Sequence, residues 1–174
     1  MRSPVRRFSI SRKTALITTA VIVVVGIAVA ALVIVRYLNA EPSTNTSGQV
    51  EQPDFDVLLP AHKTTEDVDG KLVHTPKNEP VFTYKDGLNA VAITVNEQPL
   101  SDAFKANKDS MLTEVAKGFN ATRTLSAGDT KVYIGISAKG PQSLLFVKDD
   151  LLFLIQSEKK IPDDAWTTYI NQLK

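Results

Sequence analysis

The 174-residue chain contains no cysteine. That absence excludes a disulfide framework, a thiolate zinc site, a cysteine nucleophile and a lipidated cysteine, so any folded part must hold by packing alone. Histidine is scarce as well, with only His62 and His74. There is no Gly-x-Ser-x-Gly elbow, no phosphate-binding glycine loop, no kinase signature and no dinucleotide fingerprint. Nor is there any acidic residue before Glu41.

That acid-free head carries Arg2, Arg6, Arg7, Arg12 and Lys13, followed by an uncharged apolar run from Thr14 to Val35. As a helix, 22 residues span about 33 Å, the thickness of a hydrocarbon core. The run predicts a transmembrane helix over 14–35. Arg36 is the sole base between it and Lys63, so the positive-inside rule makes 1–13 a basic cytoplasmic tail. The expected topology is a single-pass, type II signal anchor in the plasma membrane, with the C-terminal part outside. A cleaved signal peptide, cut near Ala28-Val29-Ala30, would have an apolar core of only about 7 to 15 residues. Gly26 and Ala30 form a small-xxx-small pair suited to a homodimer through the membrane helix, although such residues are also ordinary lipid-facing filler.

Beyond the anchor the charge balance reverses. Six of the 20 bases precede Glu41, which leaves 14 bases against all 19 acids. A net acidic surface lacks the clustered cations that phosphate contacts require, so nucleic acid is excluded as a partner. Residues 36–53 read as a flexible linker, because the stretch NAEPSTNTSGQVEQP has too little apolar surface to offset the entropy of ordering. Such a coil would hold the following domain on the order of 20 Å from the bilayer.

Residues 54–174 predict one extracytoplasmic α+β domain, an antiparallel sheet with two helices packed on one face. Phe55 to Leu59 is a short apolar patch suited to docking, and Pro60 to Glu79 reads as irregular. Val81 to Tyr84 and Leu88 to Val95 predict a hairpin turning at Lys85-Asp86-Gly87, since Asp-Gly tolerates positive φ. Leu112, Val115, Ala116 and Phe119 form one helical face over 110–117, with Asp109 or Ser110 as cap and Gly118 as the left-handed end. Thr122 to Leu125 suggests a weaker strand. Val132, Ile134 and Ile136 alternate, as in a strand buried on one face. Leu144 to Val147 and Leu151 to Ile155 are continuously apolar, as in central strands, with a tight turn at Lys148-Asp149-Asp150. Pro162, Asp163 and Asp164 open a final helix with Trp166, Ile170 and Leu173 on its inner stripe.

Candidates for chemistry are few. His62 and His74, with Glu66, Asp67 and Asp69 between them, are weak metal or general-base candidates, since their spacing matches no ligand pattern and a solvated polar loop explains it equally. The pairs Asp149-Asp150 and Asp163-Asp164 fit a turn and a helix start better than a carboxylate dyad. Tyr84, Tyr133, Trp166 and Tyr169 fit a core or its edge more readily than a groove. No cofactor is implied.

The stretch KVYIGISAKGPQSLLFVKDDLLFLIQS followed by IPDDAWTTYINQL, within 131–174, resembles small extracytoplasmic domains of uncharacterised single-pass bacterial membrane proteins. Some of these end anti-sigma-factor-like proteins. The resemblance implies an envelope location and no activity, and a 13-residue tail is too short for a sigma-binding domain. The expected function is a membrane-tethered extracytoplasmic binding or interaction domain without catalysis, its partners the lipid bilayer and a protein or other envelope component. Two alternatives are a cell-surface enzyme using His62 or His74 and a carrier of an apolar ligand.

Overall fold

The computed structural model describes residues 53–75, 79–135 and 142–174. Thr14 to Val35, the anchor charges Arg2, Arg6, Arg7, Arg12 and Lys13, the Gly26/Ala30 pair and nearly all of the linker lie outside the described residues.

Among the described residues, seven strands form one antiparallel sheet: β1 (Gly70–His74), β2 (Pro80–Leu88), β3 (Val91–Pro99), β4 (Ala121–Ala127), β5 (Thr130–Gly135), β6 (Gln142–Lys148) and β7 (Leu151–Ser157). Their spatial order is β1-β2-β3-β7-β6-β5-β4. Two meanders are thus joined where β3 pairs with β7, from Ile93↔Ser157 to Pro99↔Leu151. Helices α1 (Asp102–Ala106) and α2 (Lys108–Gly118) carry the chain from β3 to the far edge strand β4, and α3 (Asp163–Gln172) follows β7.

The two continuous apolar runs became β6 and β7, near the middle of the sheet, because both their faces are covered. Leu144, Phe146, Leu151, Phe153 and Ile155 point into one core, while Leu145 and Leu154 point into the other. Phe146 and Phe153 stack face to face, 4.8 Å between centroids. The first core is roofed by Trp166, Tyr169 and Ile170 of α3, by Leu173 just after it, and by Leu59 and Val68 of the segment before β1. The second is roofed by Phe104, Met111, Leu112, Val115 and Ala116 of α1 and α2. The expectation of helices on one face is therefore corrected. A strand apolar at every position exposes two greasy faces, and one helical layer would leave the other wet.

Other differences are local. The β2–β3 turn is Asn89-Ala90, at φ 52° and 59°, and not Lys85-Asp86-Gly87. Moving it adds the pairs Lys85↔Thr94, Asp86↔Ile93, Gly87↔Ala92 and Leu88↔Val91, which outweighs the cost of about 1–2 kcal/mol for alanine in the left-handed region. Part of the expected irregular stretch is β1. It is an edge strand whose burial only partly alternates, so its sequence signal is weak. Helix α2 starts at Lys108 and runs to Gly118, and Asn120, at φ 52°, supplies the left-handed residue that Gly118 was expected to supply. The α1 turn lacks a periodic signal and rests on Ser101, whose hydroxyl accepts the Phe104 N–H at 3.4 Å. Asp149 and Asp150 do occupy positive φ between β6 and β7. At Gly135 any Cβ would lie 2.4 Å from the Phe119 carbonyl oxygen, so the end of α2 rests directly on β5.

Helix α3 is tied down by polar contacts at both ends. The buried Gln142 side-chain oxygen accepts the Ile161 N–H at 2.6 Å and the Trp166 Nε1–H at 3.2 Å. Lys148 Nζ donates to the Ile170 carbonyl at 2.8 Å, placing a cation at the negative end of the helix dipole. Arg123 of β4 grips Asp163 through two bonds of 2.5 and 2.7 Å. Replacing Gln142 by Leu strands two buried donors. A loss of about 2–4 kcal/mol is expected in urea unfolding, against little change for Arg123→Ala at the solvent-exposed pair.

Candidate functional site

The site is built where three elements meet at the rim of the first core. Strand alternation places Phe82, Tyr84 and Asp86 of β2 on the α3 face, beside Glu97, Val95 and Ile93 of β3. Because β2 continues past the expected turn, Asp86 lies on an ordered strand. Its Oδ2 accepts the Tyr169 hydroxyl of α3 at 3.0 Å, and its Oδ1 pairs with Lys63 Nζ. Lys63 comes from a loop fixed by Asp67, whose Oδ2 accepts both the N–H and the hydroxyl of Thr64 at 2.8 Å. Those hydrogen bonds hold the Asp67 carboxyl below its ordinary pKa.

Above this cluster opens a cleft of about 330 Å³. It is walled by His62 from the loop, by Asp86 to Asn89 at the end of β2, and by Asp164, Ala165, Thr168, Tyr169 and Gln172 of α3. The lining supplies two carboxylates, two side-chain amides, two hydroxyls and one imidazole, but no lysine or arginine. Leu88 is its one large aliphatic side chain.

Beneath the cleft a polar row runs into the core. The Tyr84 hydroxyl lies beside both Tyr169 and Glu97 and interacts electrostatically with each, although it has no hydrogen bond of ordinary geometry. Glu97 is fully buried. Its Oε2 accepts the Leu58 N–H at 2.9 Å, whereas Oε1 has no hydrogen-bond partner. Burial pushes the Glu97 carboxyl up to about 8, against the smaller opposing pull of the Leu58 N–H and Tyr84. At neutral pH the group is therefore mostly protonated. Burial also raises both Tyr84 and Tyr169, so neither phenol ionises near neutrality.

The two histidines are not brought together. His62 stands exposed at the cleft, while His74 pairs with Pro80 at the other end of β2 from Asp86. Pro80 and Asp86 stand six positions apart on the strand, or about 20 Å. Among the described residues, no group of three or more His, Asp and Glu side chains is placed to hold a metal ion. Tyr84, Trp166 and Tyr169 are buried in the core, as their types suggest, while Tyr133 is half-buried and meets the Thr113 hydroxyl at 2.9 Å. Asp149-Asp150 and Asp163-Asp164 occupy a turn and a first helical turn. Lys63, Asp86, Glu97 and Tyr169 were missed as a set. The sequence did carry one signal for them, because Glu97 falls in phase with Ile93 and Val95 on the buried face of β3.

No family model, curated protein or solved structure matches this chain.

The pH dependence of stability follows from Glu97. Its folded pKa is raised from 4.5 to about 8, so its stabilising contribution is complete below pH 4.5 and is lost as pH rises to about 8. Between those limits unfolding free energy should fall by about 1.4 kcal/mol per pH unit from this group. Asp67, Asp150 and Asp163 are shifted downward from 3.8, so they act in a separate window, below pH 4. Urea unfolding from pH 5 to 9 should show the decline in the natural chain and a nearly flat profile in Glu97→Gln.

Proposed function

We propose that the chain is a membrane-tethered extracytoplasmic binding domain and that the cleft beside Asp86 and Tyr169 is its ligand site. The basic head, the apolar run over 14–35 and the polar linker support the tether. The cleft is the observation that carries the binding reading. It lies at the lower end of the size range of small-molecule sites and gathers polar groups from three separate elements.

The lining favours an uncharged, hydroxyl-rich ligand, a small saccharide by class. Asp164 and Asp86, with no lysine or arginine in the lining, disfavour an anion. Asp86 is already neutralised by Lys63, so a cation gains little there. The apolar-carrier reading is weakened by the interior, where Trp166, Phe146, Phe153 and Ile170 fill the space between sheet and α3. Catalysis is disfavoured because His62 and His74 lie far apart and neither forms a hydrogen-bonded pair with a nucleophile among the described residues.

The chain has a single tryptophan, and Trp166 packs edge-on against Tyr169 at 6.4 Å, which makes it a reporter of the cleft. With the full chain in lipid nanodiscs, at least one neutral mono- or disaccharide from a panel should change Trp166 emission saturably. The double substitution Asp164→Ala and Gln172→Ala should weaken that binding tenfold or more. Saturation by inorganic phosphate or putrescine with no response to any sugar would reject the ligand class.

A further inference from the structure

The two edges of the sheet are not alike. At β4 the ladder shifts register between Ala121 and Arg123, and Arg123 is drawn across to Asp163 of α3, which lies against that strand. A bulge and a committed charge blunt that edge. Strand β1 pairs with β2 without a break, from Gly70↔Tyr84 to His74↔Pro80, and holds no proline. Among the described residues no strand pairs with its outer side.

Pro80 fixes which groups that outer side presents. Lacking an N–H, it can face His74 only as a non-hydrogen-bonded pair. The Thr75 N–H accordingly reaches the Glu79 carbonyl, one step along, at 2.9 Å. Alternation then makes Val73/Val81 and Lys71/Thr83 the bonded pairs, so the N–H and C=O of both Leu72 and His74 point away from β2. Gly70 faces the same way, but its N–H is taken by the Val68 carbonyl at 2.8 Å. The edge therefore offers two complete donor–acceptor couples, at Leu72 and His74.

A second copy of the same strand satisfies both. Laid antiparallel about a two-fold axis at Val73, Leu72 of each copy exchanges N–H···O bonds with His74 of the other. An axis at Leu72 needs the Gly70 N–H that Val68 already holds, and an axis at Lys71 sets two ammonium groups opposite each other. About Val73, Lys71 instead faces Thr75, the half-buried Val73 side chains meet, and the half-buried Leu72, in phase with Phe82, extends the first core across the seam. Copies tethered to one bilayer are confined to a thin layer above it, so one short strand can suffice where a freely diffusing dimer needs more area. That concentration rests on the tether proposed above, whereas the register rests on the edge alone.

We propose that β1 is a self-pairing edge, through which two copies of the domain join antiparallel about Val73 and merge their seven-stranded sheets into one.

The natural chain has no cysteine, so single introduced thiols report the pairing. The full chain is reconstituted in liposomes and oxidised with copper phenanthroline, and flotation with the vesicles reads the tether separately. Val73→Cys places its Cα about 4.5 Å from that of its copy, within disulfide reach. It should give at least tenfold more crosslinked dimer than Lys71→Cys, whose copies lie about 13 Å apart along the strands. Adding His74→Pro to Val73→Cys deletes an outward N–H that the β1–β2 ladder does not use, at an exposed side chain. Dimer yield should then fall fivefold or more while Trp166 emission is unchanged. The proposal is overturned if Val73→Cys stays monomeric, if Lys71→Cys crosslinks equally well, as chance collision or pairing of membrane helices alone would give, or if His74→Pro leaves the yield intact. Should His74→Pro disturb folding, the comparison of Val73→Cys with Lys71→Cys decides by itself.

Discussion

The pairing of β3 with β7 is the constraint on which the rest of the structure depends. Seven cross-strand pairs, from Ile93↔Ser157 to Pro99↔Leu151, join a three-strand meander to a four-strand meander. Unjoined, each would present an additional open edge and a smaller face to cover. Joined, they place β7 and β6 so deep in the sheet that both of their faces must be roofed. The helical connection after β3 roofs one face on its way to β4, and α3 with the segment before β1 roofs the other.

That seam also explains the polar row. Glu97 stands in it opposite Phe153 and beside Phe82, on the face that α3 and residues 55–59 close. A carboxyl there is tolerable while neutral: one backbone N–H reaches its Oε2, and two phenols lie close by. Outward along β2 the row passes from Tyr84 to Asp86, where Tyr169 and Lys63 converge and solvent begins. The cleft opens at the wet end of this row, and residues 54–59 cover its other end.

Much of this architecture was legible in the sequence where one local rule was enough. Continuous apolar runs gave β6 and β7, two aspartates gave their turn, and the Trp166, Ile170 and Leu173 stripe gave α3. Phe55 to Leu59 does rest on the core. The failures came where two rules competed. Asp86-Gly87 has turn chemistry, but strand pairing continued through it, and Asn89-Ala90 took the positive φ instead. The face chosen by each helix depends on sheet order, which is non-local, and so α2 and α3 could not be assigned to opposite sides from periodicity. The site was legible only as an anomaly, a glutamate in phase with Ile93 and Val95. His62, a weak metal or general-base candidate, does reach the cleft rim, whereas His74 lies on the edge strand β1 away from it.

The central claim is that Glu97 is neutral inside the folded protein at physiological pH. The most direct measurement is a carbon-13 NMR titration of the Glu97 side-chain carboxyl between pH 4 and 10, assigned by its loss in Glu97→Gln. The structure predicts a protonated carboxyl at pH 7 with a midpoint near 8. A midpoint near the ordinary 4.5 would mean that the carboxyl is charged within the fold, and would contradict the account.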